Sequence, residues 1–250
     1  MRFLSYISIM VKNLDDEGIK SIVKRYDLFF IDLWGVIHNG IKLYENSIDV
    51  LDNLTAAKKD FVLLTNAPRP NLTVISFLKK IGLKKYFENV YTSGEAAHKY
   101  LISEFNKKKF FHIGPPRDHD LFKNIENNNV LNIEDADYIL CTGLFDDQEN
   151  NLNYYKNLLS NHISKKMICT NPDLIVDRGE QREYCAGSVA KSFEEIKGKV
   201  IYFGKPHPPV YNLSTNINNK RVLCIGDNLN TDIKGANIQN FDSLLITNGI

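Results

Sequence analysis

The 250 residues hold 31 Lys and Arg against 30 Asp and Glu, with 43% apolar side chains. That length suits one large domain, or a core with a smaller domain inserted, and the composition excludes a disordered or coiled-coil chain. A net charge of +1 offers no basic face for nucleic acid, and no apolar run reaches the roughly 18 residues of a membrane span.

In chain order, Met1 to Val11 is apolar and carries Arg2, but it has no small-residue cleavage site and runs into Asp15-Asp16-Glu17. It is not read as a secretory signal, and Met10 would serve equally well as initiator. Leu28 to Ile31 reads as a buried strand ending at Asp32. A helix is expected over 47–59, with Ile48, Leu51, Leu54 and Ala57 on one face. A second strand, Phe61 to Leu64, ends at Thr65 and Asn66, and a second helix over 72–81 aligns Val74, Ile75, Leu78 and Ile81. Lys107 to Lys109, the one tight basic run, reads as a solvated loop or helix end. Further strands are expected at Phe110 to Ile113, Tyr138 to Cys141 and Met167 to Thr170, separated by Pro115-Pro116 and Asn127 to Asn129. Val200 to Phe203 then leads into Gly204-Lys205, and Arg221 to Ile225 into Gly226-Asp227.

Continuous apolar strands alternating with helices imply a doubly wound parallel, Rossmann-like α/β core, whose ligands bind at the carboxyl ends of the strands. Residues 1–109 and 184–250 are expected to form that core, and 110–183 a smaller inserted α/β cap. Cys141, Cys169, Cys185 and Cys224 form no C-x-x-C pair and read as buried free thiols of a reducing, cytoplasmic compartment, ahead of zinc or disulfides.

The polar residues that end the strands carry chemistry. A phosphate monoester repels an attacking carboxylate, so its charge must be neutralised by a magnesium ion on hard oxygen ligands and by a lysine. Hydroxyl and backbone N–H donors then hold the phosphate oxygens. Asp32, Thr65 with Asn66, Lys205, and Asp227 with Asp232 supply these parts in order. Taken singly, each reads as well as a turn, cap or solvated residue; the ordered set at one sheet edge is what points to phosphoryl transfer.

The set resembles the haloacid dehalogenase superfamily, and within it the NagD-like class IIA phosphatases. Leu64-Thr65-Asn66, Tyr91-Thr92-Ser93, Thr170-Asn171-Pro172-Asp173, Gly204-Lys205-Pro206 and Gly226-Asp227-Asn228-Leu229-x-Thr231-Asp232 carry the resemblance. Asp32-Leu33-Trp34-Gly35-Val36 and Gly204-Lys205-Pro206-His207-Pro208-Pro209 point to a bacterial subgroup. The resemblance implies an aspartyl-phosphate at Asp32. It implies magnesium on the Asp32 and Asp227 side chains and the Trp34 carbonyl, with Asp232 just outside that ligand set. Thr65 and the Asn66 N–H would bind phosphate, and Lys205 would orient the nucleophile. The substrate expected is a small phosphorylated metabolite, met by cap residues Asn171, Asp173 and Arg178, and a homodimer through the cap is expected.

Two departures stand out. The family's general acid–base aspartate, two residues after the nucleophile, is Trp34 here, and an indole exchanges no proton at neutral pH. His38, His207 and Asp173 are the candidates to replace it. The chain also stops at Ile250, soon after a strand over 243–246, where the family continues with helical cover, so a short form or a less protected sheet is expected. A binding or regulatory protein for a phosphorylated ligand, catalytically weakened by Trp34, is the alternative reading. A phospho-aspartate receiver is disfavoured by the length and the inserted unit.

Overall fold

The computed structural model describes residues 12–178 and 181–249, so the readings of Met1 to Val11 and of Met10 as initiator lie outside the described residues. The first half runs β1 (Leu28–Ile31), α1 (Ser47–Ala56), β2 (Asp60–Thr65), α2 (Asn71–Lys80), β3 (Val90–Thr92) and α3 (Ser93–Glu104). There follow β4 (Phe110–Ile113), β5 (Asn129–Val130), β6 (Tyr138–Cys141), α4 (Leu152–Leu159), β7 (Lys166–Cys169), β8 (Ile175–Arg178), β9 (Gln181–Tyr184), α5 (Ala186–Glu195) and β10 (Lys199–Tyr202). The chain closes with α6 (Pro208–Ser214), β11 (Val222–Gly226), α7 (Lys234–Gln239) and β12 (Asp242–Leu245).

One parallel sheet has the order β12-β11-β1-β2-β3, and a second has the order β10-β7-β6-β4-β5. β1 shows why the first sheet is parallel and covered on both sides. Leu28 and Phe30 pack into one apolar cluster, while Phe29 and Ile31 pack into another on the opposite face. A strand with no polar face must be sandwiched, and burying each such side chain contributes about 1.5–3 kcal/mol. Leu51 and Leu54 of α1 and Val74 and Leu78 of α2 are the buried residues of the expected apolar faces. α1 ends at Ala56, three residues before the sequence suggests, with Lys58 in the left-handed region at φ 54°.

The second sheet corrects the expected boundary. Val200 to Tyr202 was expected in the core, but β10 pairs with β7, with Lys199 opposite Lys166 and Tyr202 opposite Cys169. α5 packs on the same sheet through Val189, Ala190 and Phe193. The second sheet thus reaches Tyr202, beyond the 110–183 span expected for the cap. An apolar run announces a parallel strand, but its sheet is decided by which neighbour completes its hydrogen bonds. The β8–β9 hairpin is antiparallel and leaves Leu174, Ile175 and Tyr184 exposed. No helix among the described residues is long and apolar enough to cross a membrane.

The two sheets share apolar packing. Leu28, Phe30, Val62 and Leu64 of the first sheet belong to the same cluster as Phe110, Tyr138, Leu140 and Ile168 of the second, with Ala96, Ala97 and Leu101 of α3 in the same cluster.

Candidate active site

In the first sheet the winding reverses at β1, because β2 and β3 extend to one side and β11 and β12 to the other. Such a reversal opens a crevice at the carboxyl ends of the strands. Ile31 lies opposite Ile225 on β11 and opposite Leu63 on β2, and Asp32 N–H still donates to the Ile225 carbonyl at 2.9 Å. The register therefore sets Asp32 in the middle, Gly226-Asp227 on one side and Thr65-Asn66 on the other.

Asp232 reaches the same crevice from the single wide, π-type turn Leu229–Ile233, where the Asn228 side chain accepts from Asn230 N–H at 2.8 Å. Turns of this type recur at functional sites. Lys205 arrives from the other sheet, after β10. Its Nζ donates to Asp32 Oδ1 at 2.6 Å and to Asp232 Oδ1 at 2.7 Å, and all three residues are buried. Lys205 was expected at the edge of the core sheet; it comes from the second sheet and still meets Asp32.

Asn66 makes that crossing possible. Its Oδ1 accepts Lys205 N–H at 2.7 Å, and its Nδ2 donates to the Lys205 carbonyl at 3.0 Å and to Asp173 Oδ1 at 2.9 Å. The Asn66 side chain is thus a clamp between the loop after β2 and the loops after β7 and β10, and phosphate was expected on its backbone N–H, which this clamp does not use. Thr65 is buried, and its Oγ1 accepts Ala67 N–H at 3.3 Å, which closes the turn. The loop is wedged against the start of α3: Gly94 N–H donates to the Ala67 carbonyl at 3.1 Å, and a Cβ on Gly94 would come within 2.5 Å of Arg69 backbone atoms. Ser93 Oγ bonds both the Ala67 and Thr170 carbonyls, a second tie between the sheets.

Three ligand oxygens, one each from Asp32, Asp227 and Asp232, lie within 4.8 Å of one another. Lys205 Nζ is shared between Asp32 and Asp232, and the three carboxylates present the hard oxygens that magnesium prefers. The chain makes room for the cluster at Gly35, with φ 86°, where a Cβ would stand 1.9 Å from Asp227 Oδ2. A Cβ on Gly249 would stand 2.3 Å from the same oxygen. Nothing in the sequence leads one to expect Gly249 here. The residues present fit a divalent cation.

Burial pushes the Asp32 carboxyl up, and the Asp232 and Asp227 charges add to it against the pull of Lys205, to about 8. Burial also works against the Lys205 ammonium, but Asp232 and Asp32 outweigh it and hold its pKa above the ordinary lysine value. The site thus keeps Lys205 charged and leaves Asp32 short of positive neighbours.

Trp34 packs against the turn that follows it. Its ring meets His38 edge-on at 5.4 Å, and a Cβ on Gly40 would strike it at 2.5 Å. His38 is buried beneath it, with Nδ1 accepting Gly40 N–H at 2.9 Å, and burial lowers its pKa to about 4. His207 stacks on Tyr202 with ring centroids 4.5 Å apart, on the β10 side of the second sheet. Of the cap residues, Asn171 shapes the turn by accepting Asp173 N–H at 3.0 Å, and Asp173 joins the site through Asn66. Arg178 ends β8, and its side chain lies outside the described residues.

A Rossmann-like α/β core with converging carboxylates and a lysine at its switch point is the class defined by this fold and site. The chain matches the family model described as haloacid dehalogenase-like hydrolase over residues 29–127, and a second, HAD-hydrolase-like model over residues 202–250. It is 31% identical to a hydrolase of the haloacid dehalogenase-like family from Brucella suis 1330, with 97% of this chain and 94% of that one covered and a TM-score of 0.83. The chain belongs to the haloacid dehalogenase-like hydrolase family, and its fold is also that of a chain described as a putative NagD protein, at 24% identity and a TM-score of 0.73 with 90% of each chain covered. A curated relative, the 5'-nucleotidase YutF of Bacillus subtilis (strain 168), is 23% identical over 239 residues, covering 91% of this chain and 90% of its own. The fold is also that of a glycerol phosphate phosphatase from Mycobacterium tuberculosis in complex with magnesium, with 22% identity, TM-score 0.71, and 92% and 70% of the two chains covered.

Proposed function

We propose that this chain is a magnesium-dependent phosphatase that hydrolyses a small phosphorylated metabolite through an aspartyl-phosphate at Asp32. The observation that carries the reading is the buried Asp32–Lys205–Asp232 cluster beside Asp227, at the switch point of the sheet. The relatives named for nucleotide and glycerol phosphate substrates support a phosphate ester as substrate class. Asp32, Asp227 and the Trp34 carbonyl would hold the magnesium, with Asp232 just outside. When bound, the ion supplies the positive charge that lets a carboxylate approach a phosphate dianion.

The chain's own residues do the rest. Asp32 attacks phosphorus and the bond to the leaving oxygen breaks, which leaves the phosphoryl group on Asp32. The Thr65 hydroxyl and Asn66 N–H bind phosphate oxygens, while the Asn66 side chain fixes the Lys205 backbone. Lys205, held charged by two carboxylates, keeps Asp32 aimed and offsets the charge that gathers on the phosphoryl oxygens. Water then cleaves the aspartyl-phosphate. Four buried thiols, none in a disulfide, support a reducing, cytoplasmic setting.

The test is phosphate release from acetyl phosphate and from glycerol phosphate, with and without magnesium, by wild type and Asp32→Asn. Release that needs magnesium and is lost in Asp32→Asn is expected. A folded wild type that releases phosphate from neither would sink the reading in favour of a phospho-ligand binding protein weakened at Trp34.

A further inference from the structure

The nucleophile, its lysine and the carboxylates are accounted for, but an alkoxide leaving from phosphorus needs a proton. Trp34 cannot supply it. His38 is sealed under Trp34 with its Nδ1 engaged by Gly40, and His207 is stacked away on Tyr202. Lys205 is engaged by Asp32 and Asp232.

Asp173 differs from these. It sits in the Asn171-Pro172-Asp173 turn at the carboxyl end of β7, and that turn is rigid. Asn171 caps it, and Gly187 N–H donates to the Asp173 carbonyl at 3.1 Å. A Cβ on Gly187 would stand 2.5 Å from that carbonyl oxygen, so only glycine lets α5 approach so closely. Asp173 Oδ1 accepts from Asn66 Nδ2, the amide that also grips the Lys205 backbone. The carboxyl is therefore tied, from the loop after β7, to the same Asn66 amide that fixes the Lys205 backbone, with Oδ2 as the oxygen to carry a proton. Burial raises its pKa to about 6, with the charges of Asp232 and Asp227 adding to this against Asn66 and Lys205. A carboxyl poised there can both give and take a proton near neutral pH.

We propose that Asp173 is the proton-exchanging residue of this site, doing from the cap what the residue at position 34 does not. The inference rests on the phosphatase reading. In the first step Asp32 bonds to phosphorus, the leaving oxygen departs with its electron pair, and that oxygen takes the proton from Asp173. In the second, water attacks phosphorus, its proton passes to the Asp173 carboxylate, and the bond to Asp32 breaks. The sum is ester plus water giving alcohol plus phosphate, with Asp173 and Asp32 restored.

The experiment compares kcat/KM of wild type and Asp173→Asn on glycerol phosphate, whose alkoxide needs a proton, and on acetyl phosphate, whose acetate does not. A loss of about 10²–10⁴-fold on glycerol phosphate is expected, against a change within about threefold on acetyl phosphate. Equal losses on both substrates would make Asp173 only a clamp on Asn66, and an unchanged rate on glycerol phosphate would remove it altogether; either overturns the proposal. Should Asp173→Asn not fold, the wild-type pH profile decides. A basic limb near the Asp173 pKa is expected with glycerol phosphate and not with acetyl phosphate, while Asp32, Asp227, Asp232 and Lys205 act on both substrates alike. Identical profiles overturn it. A wild type active on acetyl phosphate but failing these comparisons refutes Asp173 alone, whereas one inactive on both substrates refutes the phosphatase reading.

Discussion

Replacing Lys205 by Met removes the one ammonium that Asp32 and Asp232 share, at 2.6 and 2.7 Å, while roughly keeping the side chain's volume. Both carboxylates are buried, so water cannot take over the role of the lysine. Removing one partner of a buried ion pair costs about 3–5 kcal/mol. For a chain of this size each kcal/mol is worth about 2–4 °C of Tm, so Lys205→Met should melt about 6–20 °C below wild type. The assay is thermal unfolding followed by circular dichroism in metal-free buffer at pH 8.5, where the carboxyls are most in need of a counter-charge. The deficit should narrow towards pH 5 as the orphaned carboxyls take up protons. A deficit below about 1 kcal/mol at pH 8.5, or one equally large at pH 5, would refute the claim that charge burial dominates this cluster.

Two further outcomes follow from the same geometry. The folded-state pKa of Asp32 lies above its unfolded value, so the folded state holds the extra proton between them, and stability is lost as pH rises from about 4 to about 8. Magnesium should therefore raise Tm more at pH 8 than at pH 5, and a pH-independent magnesium shift in differential scanning fluorimetry would contradict this. Tyr211 is buried with its hydroxyl unpartnered among the described residues, edge-on to Phe30 at 5.2 Å. An unsatisfied buried hydroxyl costs about 1–3 kcal/mol, so Tyr211→Phe should equal or exceed wild type in urea unfolding, and a clear loss of stability would show that the hydroxyl is partnered.

β1, β2 and β11 were legible because each is a short apolar run with no polar face, which only a covered parallel sheet accommodates. The polar residue after each run was legible for the same reason, since it marks where the sheet ends. β10 carried an equally apolar run, yet the local sequence could not say that it would pair with β7, because sheet membership is a long-range property. β3, at three residues, was too short to give a periodic signal. The role of Asn66 was half legible. Its position beside Thr65 marked the site, but only the fold shows its amide facing Lys205, 139 residues away in sequence. Gly35 was legible only as part of the Asp32-Leu33-Trp34-Gly35-Val36 motif, and what it and Gly249 contribute, the absence of a Cβ against Asp227, could not be read.

The site is divided between two sheets in a way that bears on how it works. Asp32, Thr65, Asp227 and Asp232 follow strands of one sheet, while Lys205 and Asp173 follow β10 and β7 of the other. A single amide, Asn66, holds both of the latter. If the second sheet swung freely, each opening would part Lys205 from Asp32 and Asp232 and leave two carboxylates buried together. The shared apolar cluster opposes this, because parting the sheets would expose Phe110, Tyr138 and Phe203 along with Leu28 and Phe30. At about 1.5–3 kcal/mol for each such side chain, that opening costs more than binding a small metabolite would return. The second sheet thus packs on the first as a fixed wall rather than a lid, and under the proposed function it would bring Lys205 and Asp173 to the site without a closing motion.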